Sequence, residues 1–384
     1  MPKPIAIIGT LDTKGQEVAF IRHQIQVRGH QTWVIDAGVL GQPAIEADLT
    51  RHEVARAGGG ELAELIAAGD KGRAIQTMID GTRELVTRLF AEGELGGVIA
   101  LGGGQGTAIG TTAMQALPIG VPKVMVSTIA SGQNVFEPYV GTTDVTLMHS
   151  VADIVGINAV TRPVFTNAAA AVAAMVEARE PLEEGGRVVL GATMLGLTTP
   201  CVLRAKELLE TQGYELVAFH PNGTGGRSME RLIDAGLIRG VMDISTQELT
   251  GHVCRGLFDA GPDRMKAAGR RGIPQVIAPG GTDYIVLGPL SSLTAEQQSR
   301  PLIVHNPNIT LIRTAREEMA EVGRLMALRL NKARGPVAVL IPSGGYSYSD
   351  RPGHAFHDPA ADAALVEALE NDLAPGVELV KIEA

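Results

Sequence analysis

The sequence predicts an α/β chain of two Rossmann-like, doubly wound parallel-sheet domains, an internal duplication whose halves face a cleft. Three observations carry that prediction. Short apolar runs alternate with helical patterns, the signature of parallel strands joined by helices that cover both sheet faces. Runs such as VIAL and VMVS are apolar at consecutive positions, as strands buried on both sides must be. The order strand, Gly/Thr turn, helix, glycine, strand then occurs twice, which points to a repeat. A length of 384 residues suits two cores better than one.

Taken in order, Ile5 to Ile8, a helix from about Gln16 to Arg28, and Gln31 to Asp36 form the first β-α-β unit. Gly38, Gly41, Pro43 and the run Gly58 to Gly60 mark residues 38 to 60 as a long mobile insertion. Gly97 to Leu101 and Lys123 to Ser127 are central strands, each followed by a small-residue turn. The charged stretch EAREPLEEGGRV, with Pro181 and a Gly pair, sets a boundary near residue 185, giving domains 1–185 and 186–384. Beyond it RVVLGATMLGLTTPCVLRAKELLETQGYELVAFH repeats the opening unit. RGVMDIS answers GGVIALGGG, PQVIAPGG answers PKVMVSTIASG, and TLIRTAREEMAEVGRLMALRL answers TLMHSVADIVGIN with its Ala-rich helix. The tail adds a strand PVAVLIP, a polar loop, a helix through about Asn371 and a last strand VELVKIE.

Composition removes several functions. A formal charge of -9, no Lys/Arg-rich run and only 3% aromatics leave nothing to grip a phosphate backbone or stack on bases, so no nucleic-acid partner is expected. No apolar segment reaches about 18 residues, and the N-terminus runs straight into a strand without a basic leader, so neither membrane nor export is expected. Cys201 and Cys254 lack CxxC spacing and read as small core residues in a reducing, cytoplasmic compartment.

Ligands of open parallel sheets bind outside the carboxyl ends of the strands. At the first such turn, Gly9 permits a tight bend, Thr10 and Thr13 offer hydroxyls, Asp12 can cap the helix or hold a metal-bound water, and Lys14 can neutralise an anion. An ordinary capped helix start with a solvated lysine fits the same residues. The spacing is neither a Walker loop nor GxGxxG. After VIAL comes a denser signal, Gly102, Gly103, Gly104, Gln105, Gly106 and Thr107. Glycine costs roughly 0.5–1 kcal/mol in regular structure, so such a cluster implies close backbone approach to a phosphate, to another anion, or to packing neighbours alone. Two further turns, Ser127 to Asn134 and Gly141 to Asp144, add hydroxyls, with Thr143 beside an Asp144 that can complete a magnesium shell through water or serve as a plain turn residue.

The second half offers different side chains. His220, Asp243, Glu248 and His305 are the candidate acids and bases for proton transfer, and Asn222, Gly223, Asp283, Asn306, Arg313 and Ser343 the candidate substrate contacts. Each alone also fits a cap, a turn or a surface residue. His354, His357 and Asp358 have ligand-like spacing, but with no distant third ligand and no HExxH no metal site is assigned. The Gly/Ser/Tyr loop that carries them is expected to reach over a cleft, in this molecule or in a second copy within a homo-oligomer.

GTLDTKG, GGGQGT, GTTDVT, FHPNGTGGRSME, HNPNITLIRT and the tail from Ser343 to HDPAAD together resemble the Tm-1-like ATP-binding family, named for the N-terminal inhibitor domain of a plant antiviral resistance protein. The resemblance covers nearly the whole chain. It implies two Rossmann-like domains with ATP and Mg2+ in the first, placed on Gly9, Thr10, Asp12, Thr13, Lys14, Gly102, Gly103, Gly104, Gly106, Thr107, Thr143 and Asp144. Gln105 stands where a further glycine would be expected. No reaction follows from the resemblance. Three functions therefore stand: an ATP/Mg-dependent or ATP-regulated protein with a small polar substrate in the interdomain cleft, a non-catalytic nucleotide-stabilised interaction module, or a lyase or isomerase of sugar acids that grips substrate phosphate or carboxylate.

Overall fold

The unbroken apolar runs of the first half become strands: Ile5–Gly9 (β1), Thr32–Asp36 (β2), Gly97–Gly102 (β3), Lys123–Ser127 (β4) and Thr146–His149 (β5). β1, β3 and β4 are buried at every position. In the computed structural model, which describes residues 3–131, 136–180 and 186–383, all five pair in parallel in the order β2-β1-β3-β4-β5. The helices are Leu11–Gln26 (α1), Arg51–Ala57 (α2), Leu62–Ala68 (α3), Lys71–Ala91 (α4), Gly104–Gln115 (α5), Glu137–Val140 (α6) and Thr161–Glu177 (α7). Successive strand residues point to opposite faces, so Ile5, Ile7, Ile99 and Val124 pack under α1 and α7 through Val18, Ile21, Phe165 and Val172. Ala6, Ile8, Val98 and Ala100 pack under Val54, Leu65, Met78 and Ile109 from the other helices.

The chain divides into two units, Met1–Glu183 and Glu184–Ala384; residue 185, the expected boundary, lies outside the described residues, as does Asn134. The second unit begins with Val188–Thr193 (β6), Thr199–Thr211 (α8), Tyr214–Phe219 (β7), Thr224–Asp234 (α9), Gly240–Ser245 (β8), Gln247–Cys254 (α10), Ala267–Arg271 (α11) and Gln275–Gly280 (β9). Tyr284–Leu287 (β10), Ala295–Ser299 (α12), Leu302–Asn306 (β11), Ile309–Arg313 (β12), Arg316–Leu330 (α13), Val337–Pro342 (β13), Pro359–Asp372 (α14) and Glu378–Ile382 (β14) complete it. Its parallel sheet runs β7-β6-β8-β9-β13-β14, the same order as the first sheet with one strand added. The tail therefore closes the second sheet.

Three expectations are corrected. TLIR is not the counterpart of TLMH: it is β12, which pairs antiparallel with β10 and β11 in a separate three-stranded sheet. By position the counterpart of β5 is β13. The first helix starts at Leu11, directly after β1, with Lys14 outside helical geometry (φ -126°, ψ 17°), so most of GTLDTKG is helix rather than turn. Residues 38 to 60 are tied down, with Leu49 bridged to Ile35 and α2 closed by a capping box between Thr50 and Glu53.

Because every strand of a parallel sheet points one way, the helix starts that follow them gather at one rim of each unit. Among the described residues no helix is long and apolar enough to cross a membrane.

Candidate functional site

In the order β2-β1-β3-β4-β5 the connections leave β1 and β3 toward opposite faces, and a crevice opens at their carboxyl ends. A cavity of about 510 Å³ lies there, lined at one side by Thr10, Asp12, Thr13 and Gln105 and walled by Val39, Leu65, Ile66, Ala74, Met78 and Ile109. An apolar wall with a few convergent polar groups is the usual build of a cofactor site. Thr10 and Thr13 share a hydrogen bond of 2.8 Å. Asp12, in the first turn of α1, has a buried Oδ1 with no hydrogen-bond partner among the described residues. Its carboxylate fits because Gly38 and Gly41 are bare: a Cβ on Gly38 would stand 2.9 Å from that Oδ1, and Gly41 holds φ +55° with its own Cβ position 3.1 Å from Asp12 Cβ.

The glycine-rich loop serves two purposes. A Cβ on Gly102 would meet Gly106 Cα at 2.7 Å, and one on Gly9 would meet Val18 at 2.6 Å, so Gly9, Gly102 and Gly106 let strand and helix touch. Gly103 and Gly104 do not pack. A Cβ there would find only Thr128 Oγ1 at 3.6 Å in the first case and nothing in the second. Gly103 occupies the N-cap of α5 without a side chain, so the first N–H groups of that helix face open space without a partner among the described residues.

Four expected contacts are corrected. Thr107 is buried, donating to Gly103 O (2.8 Å) and bonding Ser127 Oγ (2.7 Å), so it braces the loop instead of facing a ligand. Lys14 donates its ammonium to the Ile154 carbonyl and does not line the cavity. Thr143 and Asp144 precede β5, at the amino end of the sheet, where Asp144 accepts from Lys123 Nζ (2.7 Å) and Gly120 N (2.8 Å). Burial raises the Asp144 pKa, but these bonds from Lys123 and Gly120 leave it below the ordinary value. The sheet's length separates it from the crevice. Conversely, the wall from α3 and α4, with Lys71 at its edge, was not anticipated; its signal was the Asp70 cap followed by Ala74 and Met78 at helical spacing.

In the second unit the candidate acids are structural. Arg264, fully buried, donates to Asp243 through Nη1 (2.6 Å) and Nη2 (2.7 Å) and to Glu248 through Nε (2.6 Å). Asp243 also accepts from Thr193 Oγ1 (2.7 Å), and Glu248 from Gly223 N (2.7 Å) and Gly226 N (3.0 Å). Each accepts three hydrogen bonds and is buried, and neither lines any of the cavities described, so both carboxylates brace the fold around Arg264. Glu230 completes the cluster through Met265 N (2.6 Å) and Ala267 N (2.6 Å), its pKa raised by burial against the pull of Arg264. Gly223 holds φ +96° and Asn222 accepts from Gly225 N, so both form the turn into α9. His305 and Asn306 are exposed at the β11–β12 hairpin, off the parallel sheet, where Asn306 accepts from Asn308 N (2.9 Å). His220 is exposed beside Phe258.

Arg313 is likewise not free to clamp a substrate. It donates to Asp283 O (2.9 Å), Asp358 O (3.2 Å) and Asp362 Oδ1 (2.7 Å), and lies 3.6 Å from Asp350 Oδ1. Asp283, fully buried, accepts from Ser347 Oγ (2.6 Å). Burial, opposed by that bond and helped by the Asp350 charge, pushes Asp283 up to about 7. Burial and Asp350 together bring Asp362 to about 7 as well. Ser343 lines a cavity of about 480 Å³ beside Asp350 and Asp362. Cys201 is exposed, not a core residue.

Comparison with known proteins matches residues 3–181 to the model described as "Uncharacterised protein family (UPF0261) N-terminal domain" and residues 187–384 to its C-terminal domain counterpart. A UPF0261 protein of Clostridium tetani is 44% identical over 370 residues, covering 96% of this chain and 91% of that one. One from Rhizobium meliloti is 41% identical over 96% of this chain and 90% of its own. The ToMV susceptible protein tm-1(GCR26) of Solanum lycopersicum is 35% identical over 94% of this chain, which spans 50% of the tomato protein.

Proposed function

We propose, for a chain that belongs to the uncharacterised family UPF0261 through both its N-terminal and its C-terminal domain, that the first domain binds ATP with Mg2+ at the carboxyl ends of β1 and β3. One observation carries the reading: the start of α5, uncapped and beginning with Gly103, whose Cβ position has only Thr128 Oγ1 at 3.6 Å, and Gly104, with nothing against it, lies by the same crevice as a buried Asp12 carboxylate oxygen without a partner among the described residues. Amides at a helix start solvate phosphate. The walls from α3 and α4 suit a purine, and Lys71 adds a cation at the edge. Magnesium is held in nucleotide sites by one or two carboxylates together with phosphate oxygens and waters, and Asp12 is the residue that fits that part. The metal would neutralise phosphate charge. With Asp243 and Glu248 locked to Arg264, the reading is occupancy rather than turnover, and the two free cysteines support a cytoplasmic setting.

The test is thermal stability with ATP and Mg2+, against NAD and sugar phosphates as controls. Gly104→Val adds a side chain into empty space, so the ligand-free protein should melt as wild type while the shift given by ATP disappears. An undiminished ATP shift in that variant, or a stronger shift from NAD, rejects the reading. Phosphate release over hours would reveal turnover.

A further inference from the structure

The cavity of about 480 Å³ in the C-terminal domain lies between the carboxyl end of β13, the loop that follows it and the start of α14, at the rim where a parallel sheet holds its ligands. Asp350, only 1% exposed, is part of its wall. Gly345, at φ +101°, lets the loop turn back against this residue: a Cβ there would stand 2.7 Å from Asp350 O. Tyr346 N donates to Asp350 Oδ2 (2.9 Å) and fixes the carboxylate, which leaves Oδ1 with no hydrogen-bond partner among the described residues. Asp362, in the first turn of α14, stands on the same wall.

Charge does not balance at this place. Arg313 Nη2 lies 2.7 Å from Asp362 Oδ1 and 3.6 Å from Asp350 Oδ1, and its Nη1 donates to the backbone carbonyl of Asp283. The buried side chain of Asp283 adds a third carboxyl, its Oδ1 also without a partner among the described residues. One guanidinium therefore serves three carboxyls, and two of their oxygens lack a donor. Lys381, on the cavity wall, is paired with Glu370 (2.7 Å). His357 donates Nδ1 to Asp350 O (3.0 Å), so in the neutral ring Nε2 is one more acceptor. Burial keeps protons on Asp283 and Asp362, which stand in for a missing cation.

Buried charge is tolerated when it is paired. Surplus acceptors beside apolar walls, here Pro342, Pro352 and Val366, select a cation that brings its own N–H donors and an organic body. We propose that this cavity binds an organic ammonium ion, its nitrogen donating to Asp350 Oδ1 and Asp362 and its carbon chain lying against Pro342 and Val366. A bare metal ion does not suit it: among the described residues no three His, Cys, Asp or Glu side chains are grouped to ligate one. The proposal does not depend on nucleotide binding in the other domain.

The experiment is isothermal titration of the full chain with n-pentylammonium chloride, with n-pentanol as the uncharged control. One equivalent of the amine should bind about tenfold tighter than the alcohol or better, since a hydrogen bond to a charged group is worth roughly that factor. Asp362→Asn keeps an oxygen for Arg313 and removes the charge, so affinity for the amine should fall about tenfold. Ala363→Trp, at an exposed position on the same wall, fills the space without touching a carboxylate. It should melt as wild type and lose the amine. Gly104→Val should bind it unchanged. The proposal is overturned if the alcohol binds as tightly, if Mg2+ alone displaces the amine, or if either C-terminal variant keeps full affinity. It is overturned equally if binding vanishes in Gly104→Val, which would locate the amine in the N-terminal domain.

Discussion

Asp283 and Asp362 hold their protons to about pH 7 in the folded chain, against an ordinary value of 3.8. For a carboxyl whose folded pKa is raised, the native state binds more protons than the unfolded chain between those two values, so the contribution to stability is present below the lower one and lost as pH rises through the upper. Unfolding free energy should fall from about pH 4 to about pH 7 on this account and level off above. Asp283→Asn keeps an acceptor for Ser347 and removes the titration, so urea denaturation across that range should show a shallower decline; an unchanged slope would contradict the assignment. Such residue-level facts were the least legible in the sequence. Asp144, Asp243 and Glu248 were read as available acids because their partners are remote along the chain: Lys123 lies 21 residues from Asp144, and Arg264 lies 21 from Asp243 and 16 from Glu248. Nothing in GPDRMK marks Arg264 as buried, since the same letters describe a solvated turn.

At the scale of elements, glycine was the dependable guide, though its meaning differed by position. Gly102 and Gly106 reflect contact between β3 and α5, while Gly103 and Gly104 reflect space; composition alone does not separate the two. The pair α2 and α4 shows the first kind in its extreme form. A Cβ on Gly81 would stand 1.8 Å from Val54 O, and one on Gly58 2.0 Å from Thr77 O, so the helices cross backbone to backbone. Gly81→Ala must push them apart at a cost of about 1–3 kcal/mol. Since α4 also carries Ala74, Ile75 and Met78 of the cavity wall, the same substitution should weaken ATP binding. Denaturation midpoints and titration calorimetry would check both effects; Gly104→Val should affect only the second. The misplacement of TLIR has a related cause. Four apolar and polar letters fit either a parallel strand or a hairpin arm, and only the pairing with β10 and β11 decides.

For the molecule as a whole, the two parallel, helix-covered sheets were implied by the alternation of runs, whereas their strand order, the place of the tail and the added hairpin sheet were not, because the hairpin interrupts the repeat without disturbing its composition. Among the described residues, each hydrophobic cluster draws its members from one unit alone, two in the first and five in the second. The rim of helix starts has a kinetic corollary. The chain carries a formal charge of -9, so an incoming polyanion is repelled over most of its approach and attracted only within the last few ångströms. Long-range repulsion is what dissolved salt screens first. Stopped-flow mixing should therefore find the capture rate of ATP rising as ionic strength is increased, the reverse of the behaviour of a protein that steers its ligand in from afar, while escape also quickens as the short-range grip is diluted.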